Sequence, residues 1–252
     1  MTEVFLIAFL IFAAAMLYSS VGHGGASGYL AVMALFSFAS TTMRPVALVL
    51  NICVSSIAAF KFWRNGFFSW RKFYPFAVAS IPFAFVGGSL NLPAPFFKPI
   101  IGVVLLAAAF LLVRREKTVE ELENANEKPI SIAVALLCGA ALGLLSGLTG
   151  VGGGIFLSPL LLFMKWTDVR QTAAISAMFI LVNSVAGLGA NLSQSNIAVL
   201  PSPMVFSLFA AAAVMGGLLG ATFGVNRKQS TLLLRRLLAI VLLIAALKML
   251  FG

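Results

Sequence analysis

The chain has 252 residues, of which 61% are hydrophobic and only 10% charged, with a formal net charge of +10 and a mean hydropathy of +1.07. Soluble globular domains carry about a quarter charged residues, so this composition excludes a soluble core and predicts an all-α membrane protein. The basic excess points to a small anionic substrate and the lipid bilayer as partners and helps to set topology; nucleic acid is not expected.

The opening MTEVFLIAFLIFAAAMLYSS lacks the basic n-region of a secretory signal and reads as a retained first membrane segment, 4–21. Further apolar segments fall at 29–40, 45–60, 73–90 and 99–113, then at 130–149, 155–164, 171–190, 203–225 and 237–251. Between the two sets lies RREKTVEELENANEKP (114–129), which holds five of the seven carboxylates. The other two are Glu3 and Asp168, so no carboxylate interrupts an apolar run. Carriers of sodium or metal ions place oxygen anions inside the membrane to replace the cation's hydration shell; this chain does not. Cys53 and Cys138 both lie in apolar runs, which suggests neither a disulfide framework nor a zinc site. No metal or cofactor is expected.

The two sets of segments resemble one another. VGHGGASGYLAVMAL (21–35) aligns with TGVGGGIFLSPLLLF (149–163), pairing Gly22 with Gly150, Gly24 with Gly152 and Gly25 with Gly153. FVGGSL (85–90) matches VMGGLL (214–219), and GVVLLAAAFLLV (102–113) matches AIVLLIAALKML (239–250). Residues 1–113 form a first transmembrane repeat, 114–129 a charged cytoplasmic linker and 130–252 a second repeat. Basic residues gather in 61–72, 114–128 and 226–236, while 191–203 is uncharged. Cytoplasmic loops collect Lys and Arg, so equivalent loops carry opposite charge signatures. That swap is what two inverted-topology repeats require. Five crossings per half would leave both termini outside; four per half, with the short segments re-entrant, gives eight spans. The expected range is 8–10 membrane segments.

Each repeat contains a Gly-broken, short helix. Segments 29–40 and 155–164 extend only about 15–18 Å as helix, against a hydrocarbon core of about 30 Å. Irregular backbone at that depth is tolerated where protein buries it or a watery cavity receives it. A half-helix starting after the glycines presents open N–H groups and the positive end of its dipole, an anion site before any side chain is added. The candidate substrate-binding residues are therefore Ser20, Gly22, His23, Gly24 and Gly25 at the first break and Thr149, Gly150, Gly152, Gly153 and Gly154 at the second, joined by Asn51, Ser176 and Asn183 from the following spans. His23, the one histidine, stands where the other repeat has Val151. It can donate to an oxyanion and titrates near neutrality in its ordinary state. Each polar residue has a competing role as a helix–helix hydrogen bond. Gly139, Gly143 and Gly147 have the four-residue spacing of close helix packing. Arg44 and Arg170 read as interfacial anchors, with attraction of the anion as the competing role. Neither glycine cluster completes a nucleotide-binding GxGxxG, because Ser27 and Ile155 occupy the last position.

These halves, carrying SSVGHGGASG and SGLTGVGGGIFLSPLL, resemble the sulfite exporter family TauE/SafE, whose members are duplicated membrane proteins with a Gly-rich motif near the start of each half. The resemblance extends over essentially the whole chain. It implies export of a sulfur-containing anion such as sulfite or sulfoacetate across the inner membrane. Family members often carry a Thr-Ser pair early in the span after the second motif; here the region reads QTAAISAMFILVNS, leaving Ser176 alone in that role. Alternating access of two inverted halves is the mechanism expected, with a passive anion channel as the alternative. An intramembrane enzyme would need a nucleophile–base pair, interior carboxylates or a metal cluster, so no enzyme activity is expected. Whether two copies associate as a homodimer is left open.

Overall fold

The computed structural model describes residues 2–90, 93–114, 129–193, 201–226 and 232–251. Most of the charged linker 114–129 and of the loop 191–203, and residues 227–231 of the loop 226–236, lie outside the described residues. Ten helices occur among those described and no strand: α1 (Thr2–Ser19), α2 (Ala26–Leu35), α3 (Ser40–Arg64), α4 (Trp70–Ser89), α5 (Ala94–Arg114), α6 (Ile132–Thr149), α7 (Gly154–Phe163), α8 (Val169–Ser193), α9 (Pro203–Asn226) and α10 (Leu232–Phe251). Helices α1, α3, α6, α8 and α9 are long and apolar enough to cross a bilayer by length and composition. Helix α4 is long enough but carries Arg71 and Lys72 in its first turn. The molecule is an all-α, multi-pass membrane protein. Large apolar side chains such as Phe9, Phe110, Leu137 and Met204 remain exposed, as lipid-facing surfaces require.

Helix directions follow from the contacts. Along α1 and α9, Gly216 lies against Phe12, Gly220 against Met16 and Gly224 against Ser20, so the two run the same way. Val54 lies against Gly217, and Lys61 reaches Leu218 and Thr222, which aligns α3 with α9 as well. In the same manner α6 runs with α4, Gly139 against Phe76 and Gly143 against Ser80. Helix α8 runs with α4 too, Gln171 beside Lys72 and Gly187 beside Gly88. Asn51 reaches Ser184 while Leu48 lies beside Gly187, so α3 and α8 are antiparallel. Corresponding helices of the two halves (α1 and α6, α3 and α8, α4 and α9) therefore oppose one another in direction. Because α1 and α3 point the same way, the chain must return between them. The return is made by the break at 20–25 followed by α2; the second break and α7 do the same between α6 and α8.

The first helix of each half packs on the fourth helix of the other. Both contacts depend on absent side chains. A Cβ at Gly143 would collide with the Ser80 carbonyl, and one at Gly139 would stand 2.5 Å from the Phe76 oxygen. Without a hydrophobic driving force between helices in lipid, close backbone approach supplies the attraction through dispersion and short polar contacts. The central α3–α8 pair carries the buried polar side chains Asn51, Ser55, Ser176, Asn183 and Ser184.

Helix α2 begins three residues earlier than the apolar run at 29–40 suggests. Gly28 is helical and abuts the Ala14 methyl, so it provides room for packing rather than a break. Gly143→Ala should destabilise the protein by about 1–3 kcal/mol, as overpacking does, measured by thermal unfolding in detergent. Gly189→Ala, where nothing lies within 4 Å of the added methyl, should leave the midpoint unchanged or raise it.

Candidate anion site at the two helix breaks

The breaks are built from left-handed backbone. Gly25 (φ 97°) precedes α2 and Gly153 (φ 73°) precedes α7, a conformation that costs an L-residue with a side chain but not glycine. Gly22 (φ 76°) and Gly150 (φ 79°) make the earlier turns, where each chain leaves its long helix. A Cβ on Gly22 would strike the Ala173 carbonyl of α8, and one on Gly150 would come within 3.2 Å of the Arg44 carbonyl of α3. Each break is thus clamped to the third helix of the opposite half.

Both breaks then arrive at one pair of side chains. A Cβ on Gly24 would meet the Asn51 amide and Ile180, and one on Gly152 would meet the same two side chains. The Ala26 amide N–H, in the first turn of α2, donates to Asn51 Oδ1 at 3.1 Å. Asn51 Nδ2 donates to the Val151 carbonyl of the second break at 3.3 Å and to Ser184 Oγ at 3.4 Å. One carboxamide therefore joins the two half-helix entrances, both fully inside the protein. At each entrance the first-turn N–H groups lack intrahelical acceptors and the dipole adds roughly half a positive charge.

His23 crosses from the first break to the second. Its Nε2 lies 3.1 Å from the Gly154 carbonyl and 2.8 Å from Ser158 Oγ. A carbonyl oxygen only accepts, which makes Nε2 the protonated nitrogen. Ser158 Oγ is in turn 2.8 Å from Ser176 Oγ. The imidazole, two hydroxyls and the α7 entrance form one buried row, with His23, Ser158 and Ser176 each at most 2% exposed. Ser146 Oγ on α6 is buried near this region without a hydrogen-bond partner among the described residues, and on α8 Asn183 Oδ1 is likewise buried and unpartnered. Gly153 stands beside Ser146.

The sequence candidates are distributed as follows. His23, Gly24, Gly25, Asn51, Gly152, Gly153, Gly154 and Ser176 meet around the two entrances. Gly22 and Gly150 clamp the breaks from outside that centre. Thr149 caps its own turn, donating to Leu145 O and accepting from the Val151 N–H. Ser20 bonds back to Leu17 O at the end of α1, away from the centre. Asn183 donates to Phe179 O along its own helix. Ser158 and Ile180 were not among the candidates, since each sits in an apolar run with no local signal. Arg44 is 5% exposed and donates to the carbonyls of Gly87, Gly88 and Leu90 at the end of α4. It stabilises a helix C-terminus instead of sitting at the lipid surface. Arg170 lies over the Phe67 ring at 5.1 Å. The C-terminal carbonyl of α2, Leu35 O, receives Lys248 Nζ at 2.8 Å, so a cation balances the negative end of that half-helix.

Asn51→Leu keeps most of the volume but leaves the Ala26 N–H and the Val151 carbonyl without their partner. The expected cost is about 1–3 kcal/mol, seen as a lowered unfolding midpoint. Ser55→Ala, which removes only a bond to its own helix at Asn51 O, should cost well under that.

Among known proteins, the model of the sulfite exporter TauE/SafE family matches residues 7–249. A probable membrane transporter protein of Sinorhizobium fredii is 39% identical over 250 residues, 99% of each chain. A second probable membrane transporter protein, from Methanocaldococcus jannaschii, is 27% identical over 137 residues, 53% of this chain and 49% of that one. No solved structure matches the chain. With duplicated glycine breaks, an all-helical membrane fold and a family match along nearly its whole length, the chain belongs to the TauE/SafE family of membrane transporters.

Proposed function

We propose that this transporter exports a small sulfur-containing oxyanion, such as sulfite or sulfoacetate, across the plasma membrane by alternating access of two inverted halves. The observation that carries the reading is the meeting of both half-helix entrances at Asn51. Two N-terminal dipole ends, each worth roughly half a positive charge, concentrate positive potential at one buried point. The buried row of His23, Ser158 and Ser176 adds side-chain donors at the second break. An oxyanion with several acceptor oxygens suits such a set of N–H and O–H donors. The opposed directions of α1 and α6, α3 and α8, and α4 and α9 support the inverted arrangement, in which a fixed site is reached from alternate sides as the halves rock. The family description supplies sulfite as the reference substrate.

Binding stabilises the folded state by mass action, by about 2.7 kcal/mol at a hundredfold excess over Kd. Thermal unfolding of the purified protein should shift upwards, saturably, with sulfite or sulfoacetate, and much less with chloride. Gly24→Ala should abolish that shift, because its methyl would collide with Asn51 Oδ1 at an ordinary backbone conformation. If no sulfur oxyanion moves the midpoint, or if Gly24→Ala responds like the wild type, the reading is wrong.

A further inference from the structure

Helices α3 and α9 run side by side and finish at the same end of the molecule. Between their last turns lies a cleft of about 460 Å³. Its lining is of mixed chemistry: Phe60, Leu218 and Val225 contribute apolar surface, and Lys61, Arg64 and Asn226 contribute polar groups. Lys61 Nζ donates to the Leu218 carbonyl at 3.0 Å and to Thr222 Oγ1. Both acceptors are uncharged, so the ammonium is held in place without being neutralised. Arg64 is exposed, and among the described residues no carboxylate lines the cleft. The two helix C-termini contribute roughly half a negative charge each, against two full positive charges. Among the described residues the local balance is about one positive charge.

The position of the cleft specifies its environment. Phe60, Trp63 and Trp70 are each more than half exposed at this end, as aromatic side chains are where a protein meets the headgroup layer. The same end carries Arg71, Lys72 and Arg170, opening α4 and α8. Basic residues mark the cytoplasmic face, whose leaflet is rich in anionic lipid. We propose that this cleft holds the phosphodiester headgroup of an anionic phospholipid, with Lys61 and Arg64 on the phosphate and an acyl chain along Phe60 and Leu218. The lipid would join the C-terminal turns of α3, which carries Asn51, and of α9, which packs on α1. The two helices belong to different halves of the chain.

Binding of phosphatidylglycerol and phosphatidylcholine to the intact purified protein, counted by native mass spectrometry, tests this directly. The wild type should retain phosphatidylglycerol in preference to phosphatidylcholine. At the ordinary contribution of a basic side chain facing an anionic leaflet, Lys61→Gln with Arg64→Gln should weaken that binding roughly thirtyfold. Arg71→Gln removes a cation from the same face outside the cleft and should stay within about twofold of wild type. Lys61→Arg with Arg64→Lys should retain binding, which separates loss of charge from misfolding. Equal weakening by Arg71→Gln, or no weakening in the double Gln variant, would overturn the proposal. So would displacement of phosphatidylglycerol by inorganic phosphate at comparable concentration, since the occupant would then be a free anion.

Discussion

A backbone group left open in hydrocarbon costs several kcal/mol, and this chain opens its backbone twice inside an apolar helix bundle. The fold is the means by which those two openings are enclosed. Each break is pressed against the third helix of the other half, Gly22 on Ala173 and Gly150 on Arg44. The carboxamide of Asn51 then serves both entrances at once, accepting from Ala26 and donating towards Val151. Neither half can enclose its own break alone. That mutual dependence places the half-helix N-termini together, and with them the positive ends of two dipoles.

The enclosure is asymmetric, although the two halves carry matching glycine motifs. Asn51 is the twelfth residue of α3 and Ile180 the twelfth of α8; they face each other across the centre, one amide and one hydrocarbon. His23 stands opposite Val151 in the repeat alignment, and its ring extends to Gly154 and Ser158 of the second break. Polar side chains thus come singly to a centre that strict symmetry would furnish twice. A single bound anion needs one set of donors, and the apolar counterparts avoid burying a second, unsatisfied amide.

Much of this was legible in the sequence because glycine clusters and charge gaps are local signals. GHGG and GVGGG announced the breaks, and the short apolar runs 29–40 and 155–164 after them announced half-helices. Gly28 misled the boundary of α2, since a glycine needed for closeness to Ala14 looks the same in sequence as one needed for a turn. The glycines at 139, 143 and 147 announced close packing but not its partner, which is α4, some sixty residues earlier. Ser158 was invisible, lying within FLSPLLL with nothing to distinguish it from a hydroxyl bonded to its own helix. Its meaning comes from His23, 135 positions away in the chain. Arg44 gave its charge but not its place, because the carbonyls it binds at the end of α4 become available only after folding.

The central claim is that the two entrances form one anion site at Asn51. The most direct measurement is the anomalous difference density of crystals soaked in selenite, the selenium counterpart of sulfite. The account predicts a selenium peak placed so that the selenite oxygens accept from backbone N–H groups around Gly24–Ala26 and Gly152–Ile155, close to Asn51 and Ser176. Selenium confined to Arg44 or to the basic surface, with none between the two half-helices, would contradict it.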